Sequence, residues 1–165
     1  MALFRRAPRL PDDVRDRLDL GADRPLAVGQ LTDGWAVATL EGLRALVDEL
    51  PLRRPWSDVH AARLDAEIRA LTVTWVDGAA PTVLHLVDDS PALPRAVHDR
   101  VQSSVVHGEQ VPVPAGQSAR VVLRRRADGS LFTQVIGTGG VDLSDPTVGA
   151  AIDAAEARVR EAAGL

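Results

Sequence analysis

The chain contains no cysteine, and it also lacks lysine, tyrosine and asparagine. Without cysteine there can be no disulfide, zinc–thiolate site, iron–sulfur cluster or thiol nucleophile. Without lysine no Schiff-base chemistry is possible, and the 19 basic residues are all arginine. These absences remove several large classes of enzyme before any motif is considered.

Aromatic residues and long apolar runs are also scarce. Only 3% of the residues are aromatic, and no window approaches the 18 or so consecutive apolar residues that a membrane helix needs. The formal net charge is -4, whereas nucleic acid and anionic membranes attract a positive surface. We therefore expect a soluble cytoplasmic protein with no membrane span and no nucleic-acid partner.

The composition that remains is that of an ordinary globular protein. The 165 residues are 45% hydrophobic and 25% charged, which is enough for one domain with its own core. The sequence predicts an α+β fold that forms a single compact domain over residues 1–165.

The first half of the chain alternates apolar and polar residues with the period of β-strands. Turn-forming pairs such as Asp33-Gly34 and Asp77-Gly78 separate the runs, as expected for an antiparallel meander. Pro51 and Pro55 are interpreted as breaks between strands. Six strands are predicted, at residues 25–30, 35–40, 43–47, 56–64, 69–76 and 82–87.

Three helices and one further hairpin complete the prediction. A short helix follows Pro11, and a longer one after Pro91 places four apolar residues on one stripe, Leu93, Val97, Val101 and Val105. A boundary at residues 112–116 precedes a hairpin with strands at 118–127 and 131–137 around Asp128-Gly129. Ser144-Asp145-Pro146 then predicts the start of a C-terminal helix.

Three stretches of this pattern resemble a known fold. They are Trp-Ala-Val-Ala-Thr-Leu at 35–40, Arg-Arg-Pro-Trp-Ser-Asp-Val at 53–59 and Leu-Thr-Val-Thr-Trp at 71–75, followed by one amphipathic helix. Residues 25–107 resemble the PH-like domains of uncharacterised proteins from high-GC Gram-positive bacteria. The resemblance implies a partly open barrel capped by a helix over about 22–108, with an appended hairpin and helix over about 109–165. No known activity is associated with these PH-like proteins.

The same resemblance argues against lipid binding at the usual position. Lipid-binding PH domains carry basic residues in the first hairpin loop, and here that loop is Leu31-Thr32-Asp33-Gly34. A phosphoinositide site is therefore not expected there.

No arrangement of residues predicts catalysis, a cofactor or a metal. The four histidines have no metal-ligand spacing, and no serine lies in a Gly-x-Ser-x-Gly elbow. Asp88-Asp89 matches a helix N-terminus better than a pair of catalytic carboxylates. The segment Gly137-Thr-Gly-Gly140 is interpreted as a connecting loop, because two acidic residues rather than a basic one separate it from the next helix.

Two functional hypotheses remain. The first is a non-catalytic protein-binding module that presents an edge strand or an arginine surface, with Arg120, Arg124 and Arg126 on one strand face, to an acidic protein partner. The alternative is a small-ligand binder or small enzyme with a barrel pocket, lined by Trp35, Trp56, His60, Trp75 and His85.

Overall fold

The structure, a computed structural model, describes residues 8–113, 118–138, 141–142 and 144–165. Its class is α+β, as the sequence predicts, with three helices and three antiparallel sheets in the described part. The helices are α1 (Asp12–Arg17), α2 (Ala92–Ser104) and α3 (Pro146–Ala162). The strands are β1 (Ala27–Leu31), β2 (Gly34–Ala38), β3 (Gly42–Val47), β4 (Leu50–Pro55), β5 (Val59–Asp65), β6 (Ala70–Trp75), β7 (Thr82–His85), β8 (Val105–Pro112), β9 (Ser118–Arg125) and β10 (Leu131–Thr138).

The chain divides into two compact units, residues 1–102 and 103–165. The division falls six residues before the boundary that the sequence indicates at 108/109. Whether the units together form a single domain stays a prediction.

The first unit contains two meanders, a four-stranded sheet in the order β1-β2-β3-β4 and a three-stranded sheet in the order β5-β6-β7. One bridge joins Leu31 of β1 to Leu86, next to β7. The described strands do not otherwise close, so these two sheets form no closed barrel, and the partly open barrel stays a prediction. A 3-10 turn at Trp56–Asp58 separates β4 from β5 and redirects the chain between them.

The strand that sequence reasoning missed in this unit is β4. Pro51 and Pro55 lie in it, although the sequence predicts breaks at both residues. Proline is tolerated there because β4 is the last strand of its sheet, where a missing N–H interrupts no ladder on the outer side. Gly42 on the neighbouring strand permits the close pairing, since a Cβ at this position would lie 2.1 Å from the Arg54 carbonyl oxygen.

The core of the first unit gathers residues from both sheets and from α2. Trp56 and Trp75 are 4% and 6% exposed within it, and Leu93 and Val97 contribute the buried stripe of α2. The Trp56 indole donates a hydrogen bond of 3.0 Å to the Thr39 carbonyl. Its position is therefore fixed by packing and by a hydrogen bond to the turn that joins β2 and β3.

The second unit is a three-stranded sheet in the order β10-β9-β8, with α3 packed on β8 and β9. The predicted start of α3 is confirmed, because the Asp145 carboxylate accepts hydrogen bonds from the N–H groups of Thr147 and Val148. Buried residues of α3 such as Ala155 and Val159 pack against Val121 and Leu123 of β9. The sequence does not predict β8. Helix α2 ends at Ser104, so Val105, the last residue of the predicted apolar stripe, belongs to β8 instead.

Candidate interaction surfaces

The predicted arginine surface on β9 is not a uniform exposed face. Arg120 and Arg126 are exposed, but Arg124 is 2% exposed and donates a hydrogen bond of 3.0 Å to the Ser104 hydroxyl. The prediction that Arg124 projects into solvent is therefore wrong. Arg120 and Arg124 lie on the same face of the strand, with Val122 between them. Val122 and Arg124 are both buried, so Arg124 is a residue of the protein interior.

The two exposed arginines have separate surroundings. The Arg126 guanidinium lies 3.9 Å from the centre of the Phe132 ring, and it donates to the Ser130 hydroxyl at 3.4 Å. Arg120 lies against Gly108, where a Cβ would approach its Nη2 atom to 3.0 Å. Arg120 lies near the start of β9 and Arg126 directly follows its last residue, so these side chains do not form one cluster.

The five residues of the alternative pocket lie in different surroundings in the first unit. Trp56 and Trp75 lie in the same core cluster, while Trp35 is partly exposed and packs against a different cluster around Val37 and Leu46. His60 and His85 are both exposed. The structure therefore brings two of the tryptophans together and leaves both histidines on the surface.

An open groove of about 180 Å³ lies beside β3 and β4 in the first unit, and three arginines line it, Arg44, Arg53 and Arg54. Each of these arginines is paired with carboxylates, which are Asp19, Asp23, Glu41, Asp58 and Asp77. The three guanidinium groups of the groove are therefore already engaged with carboxylates of the chain itself.

A second depression, of about 70 Å³, lies beside Leu64, Arg69 and Leu86. Both volumes fall below the roughly 300 to 1,000 Å³ that is usual for small-molecule sites. Among the described residues there is also no group of three or more side chains suited to hold a metal ion. No described helix is long and apolar enough to cross a membrane.

The edges of the sheets differ in how well they are protected against a further strand. β4 carries two prolines and two arginines, and β5 and β8 each contain a bulge and charged residues. The short strands β1 and β7 meet at the bridge between Leu31 and Leu86. Bulges, prolines and charges are the usual means by which proteins prevent unwanted strand pairing.

β10 is the exception among these edges. It is eight residues long, contains no charged residue and no proline, and pairs with β9 without any register shift from Leu131 to Thr138. No described strand pairs with its outer side, because β10 is the end of its sheet. Among the described strands, β10 is therefore a long and regular edge that carries no charge, proline or bulge.

The hairpin turn determines which backbone groups of β10 point outward. The Arg126 N–H donates to the Ser130 carbonyl at 2.9 Å, and the Gly129 N–H donates to the Arg126 carbonyl at 3.0 Å. Arg126 and Ser130 thus form a hydrogen-bonded pair, and such pairs alternate along an antiparallel ladder. Phe132, Gln134 and Ile136 therefore direct their backbone groups toward β9. The outward-directed residues are Leu131, Thr133, Val135 and Gly137.

The two ends of this edge differ in charge, because two exposed arginines outnumber the exposed Asp128 at the hairpin turn and the other end is acidic. Arg125 and Arg126 lie at the hairpin turn, next to the start of β10. At the other end Val141 packs close to Gly137, and the exposed Asp142 follows it. The Ser144 hydroxyl and N–H donate to the Asp142 carboxylate, and these hydrogen bonds lower the pKa of Asp142 so that it stays ionised. Gly139 and Gly140 of the predicted loop lie outside the described residues.

An ion pair between Arg158 and Glu109 joins α3 to β8, the strand at the other edge of the sheet. The Nε atom of Arg158 lies 2.9 and 3.0 Å from the two carboxylate oxygens of Glu109, and this hydrogen-bonded contact lowers the pKa of Glu109. α3 packs on β8 and β9, and β10 is the end strand of the sheet among the described strands.

The pair predicts a pH dependence of stability. The folded state holds Glu109 ionised, so the contribution of the pair is present above the ordinary carboxyl pKa and is lost as the pH falls through the lowered value. We expect Glu109→Gln to reduce the melting temperature at neutral pH, and the difference from wild type to shrink in acid. Thermal melts across this range, with Arg158→Gln as the matched variant, test this. A difference that does not change with pH would contradict it.

Comparison of the chain with known protein families, with curated proteins and with solved structures found no match. The interpretation of the β10 edge therefore rests on its geometry and charge alone.

Proposed function

We propose that the protein is a non-catalytic protein-binding module, and that the β10 edge receives an extended segment of its partner as an additional strand. The observation that carries the proposal is that β10 is uncharged, unbroken and unpaired on its outer side among the described strands. Main-chain hydrogen bonds to Leu131, Thr133 and Val135 would supply the affinity.

The charges beside the edge select the partner. Arg125 and Arg126 flank the start of β10, and guanidinium groups pair well with carboxylates. A partner strand antiparallel to β10 ends beside these arginines, so acidic residues at its C-terminal end are favoured. This retains the acidic partner and Arg126 of the surface that the sequence predicts. Arg125 takes the place of the buried Arg124, and Arg120 is not part of this site.

The first unit is proposed to be a PH-like scaffold that accompanies this binding unit. A sheet of four strands, a sheet of three strands and a following helix, α2, support that assignment. The assignment implies no enzymatic activity.

A fluorescein-labelled peptide, Val-Thr-Val-Thr-Val-Asp-Asp, tests the binding function by fluorescence anisotropy. We expect the wild type to bind it, and to bind the matched peptide ending in Arg-Arg about tenfold more weakly, since opposite charge favours only the first. Thr133→Pro removes an outward N–H and should abolish binding while preserving the pairing of β10 with β9.

Thr133→Val is the control, because it keeps the N–H and alters only the side chain. Equal binding of both peptides, or binding that survives Thr133→Pro in a folded protein, would contradict the proposal. Absence of binding by the wild type would contradict it as well.

A further inference from the structure

We infer that the partner at this edge is a second copy of the same chain, whose β10 pairs antiparallel with β10 across a twofold axis at Gln134. This inference rests on the proposed function and names its partner. Three properties of the edge support it: the positions of its outward backbone groups, the charges at its two ends and the partly covered face beside α3.

The outward backbone groups of β10 match those of a second β10. With the axis at Gln134, Leu131 of one copy lies opposite Gly137 of the other, and Thr133 lies opposite Val135. All four residues direct their N–H and C=O groups outward, so each of them faces a complementary pair of groups. A one-residue change of register would instead place outward groups opposite groups that already bond to β9.

The charges favour the antiparallel arrangement over the parallel one. Antiparallel pairing brings the end with Arg125 and Arg126 of one copy toward the end with Asp142 of the other, and it does so twice by symmetry. Parallel pairing would bring like charges together at both ends. Between the ends β10 is uncharged, so no charge faces its own copy at the axis.

The face of β10 beside α3 is only partly covered within one copy. Leu131 and Val135 pack against the core cluster of the second unit but keep intermediate exposure. A twofold axis perpendicular to the sheet keeps both α3 helices on the same face. The strip that contains Leu131, Thr133 and Val135 would then lie between the two helices, where pairing buries more of its apolar surface.

Sedimentation velocity of the full chain, over about 1 to 300 µM, tests the inference directly. We expect the wild type to change from monomer to dimer within this range, and Thr133→Val to do the same. Thr133→Pro should remain monomeric, with an unchanged melting temperature. A wild type that stays monomeric overturns the inference, and so does a dimer that survives Thr133→Pro.

A charge exchange tests the antiparallel arrangement even if the proline variant does not fold. Arg125→Asp and Asp142→Arg should each raise the dimer dissociation constant about threefold to tenfold, and the two changes in one chain should restore it. If Arg125→Asp strengthens the dimer, the strands are parallel and the inference is wrong. Failure of the double variant to recover also contradicts it.

The peptide Val-Thr-Val-Thr-Val-Asp-Asp separates this inference from the proposed function. We expect it to dissociate the wild-type dimer, because both occupy the β10 edge. A monomeric wild type that still binds the peptide at β10 overturns self-pairing and leaves the binding function intact. If the chain neither dimerises nor binds the peptide, both are wrong.

Discussion

Replacing Trp75 with alanine is expected to lower the free energy of unfolding of the first unit by about 3 to 5 kcal/mol. The side chain is 6% exposed, and its indole N–H donates to the Thr82 hydroxyl at 3.2 Å. The Arg54 guanidinium lies 5.0 Å from the ring centre. Truncation therefore leaves a large cavity and removes contacts from two neighbouring strands and from a stacked cation.

Chemical denaturation followed by far-UV circular dichroism measures this effect. Trp35→Ala is the matched control, because Trp35 is partly exposed and packs at a smaller cluster. Its cost should be clearly smaller than that of Trp75→Ala. Equal costs for the two variants would show that the core of the first unit is not organised around Trp56 and Trp75.

Substituting Arg124 with glutamate is expected to destabilise the second unit by at least about 3 kcal/mol, because it buries a carboxylate in a site built for a guanidinium. Arg124 is 2% exposed and donates to the Ser104 hydroxyl. Arg120 lies on the same strand and is exposed. Arg120→Glu should therefore change stability by no more than about 0.5 kcal/mol.

Thermal melts of the two variants distinguish a structural role from a surface role. Equal stability of Arg124→Glu and wild type would mean that Arg124 is not held in the interior. A large loss for Arg120→Glu would mean that its contact with Gly108 is structural as well.

The strands and helices were largely predictable from the sequence, and the errors have identifiable causes. The prolines of β4 looked like breaks because periodicity does not tell whether a strand lies at the edge of its sheet. β8 was missed because Val105 continues the apolar stripe of α2, while Gly108, Glu109 and Gln110 obscure the alternation expected of a strand.

The candidate site was only partly predictable. Alternation correctly placed Arg120 and Arg124 on one face of β9, but it contains no information on which part of that face other residues cover. The signal for β10 was present in the sequence, since residues 129–141 carry no charge. Its significance depended on β8, because β9 pairs with β8 on one side and leaves β10 at the end of the sheet.

Amide hydrogen exchange along β10, measured by NMR, tests the central claim most directly. In dilute monomer the outward amides of Leu131, Thr133 and Val135 should exchange much faster than those of Phe132, Gln134 and Ile136, which bond to β9. Saturating Val-Thr-Val-Thr-Val-Asp-Asp, or raising the protein concentration, should slow the three outward amides to the rate of their neighbours. Unchanged exchange at these amides, or protection that appears instead on β4 or β5, would contradict the account.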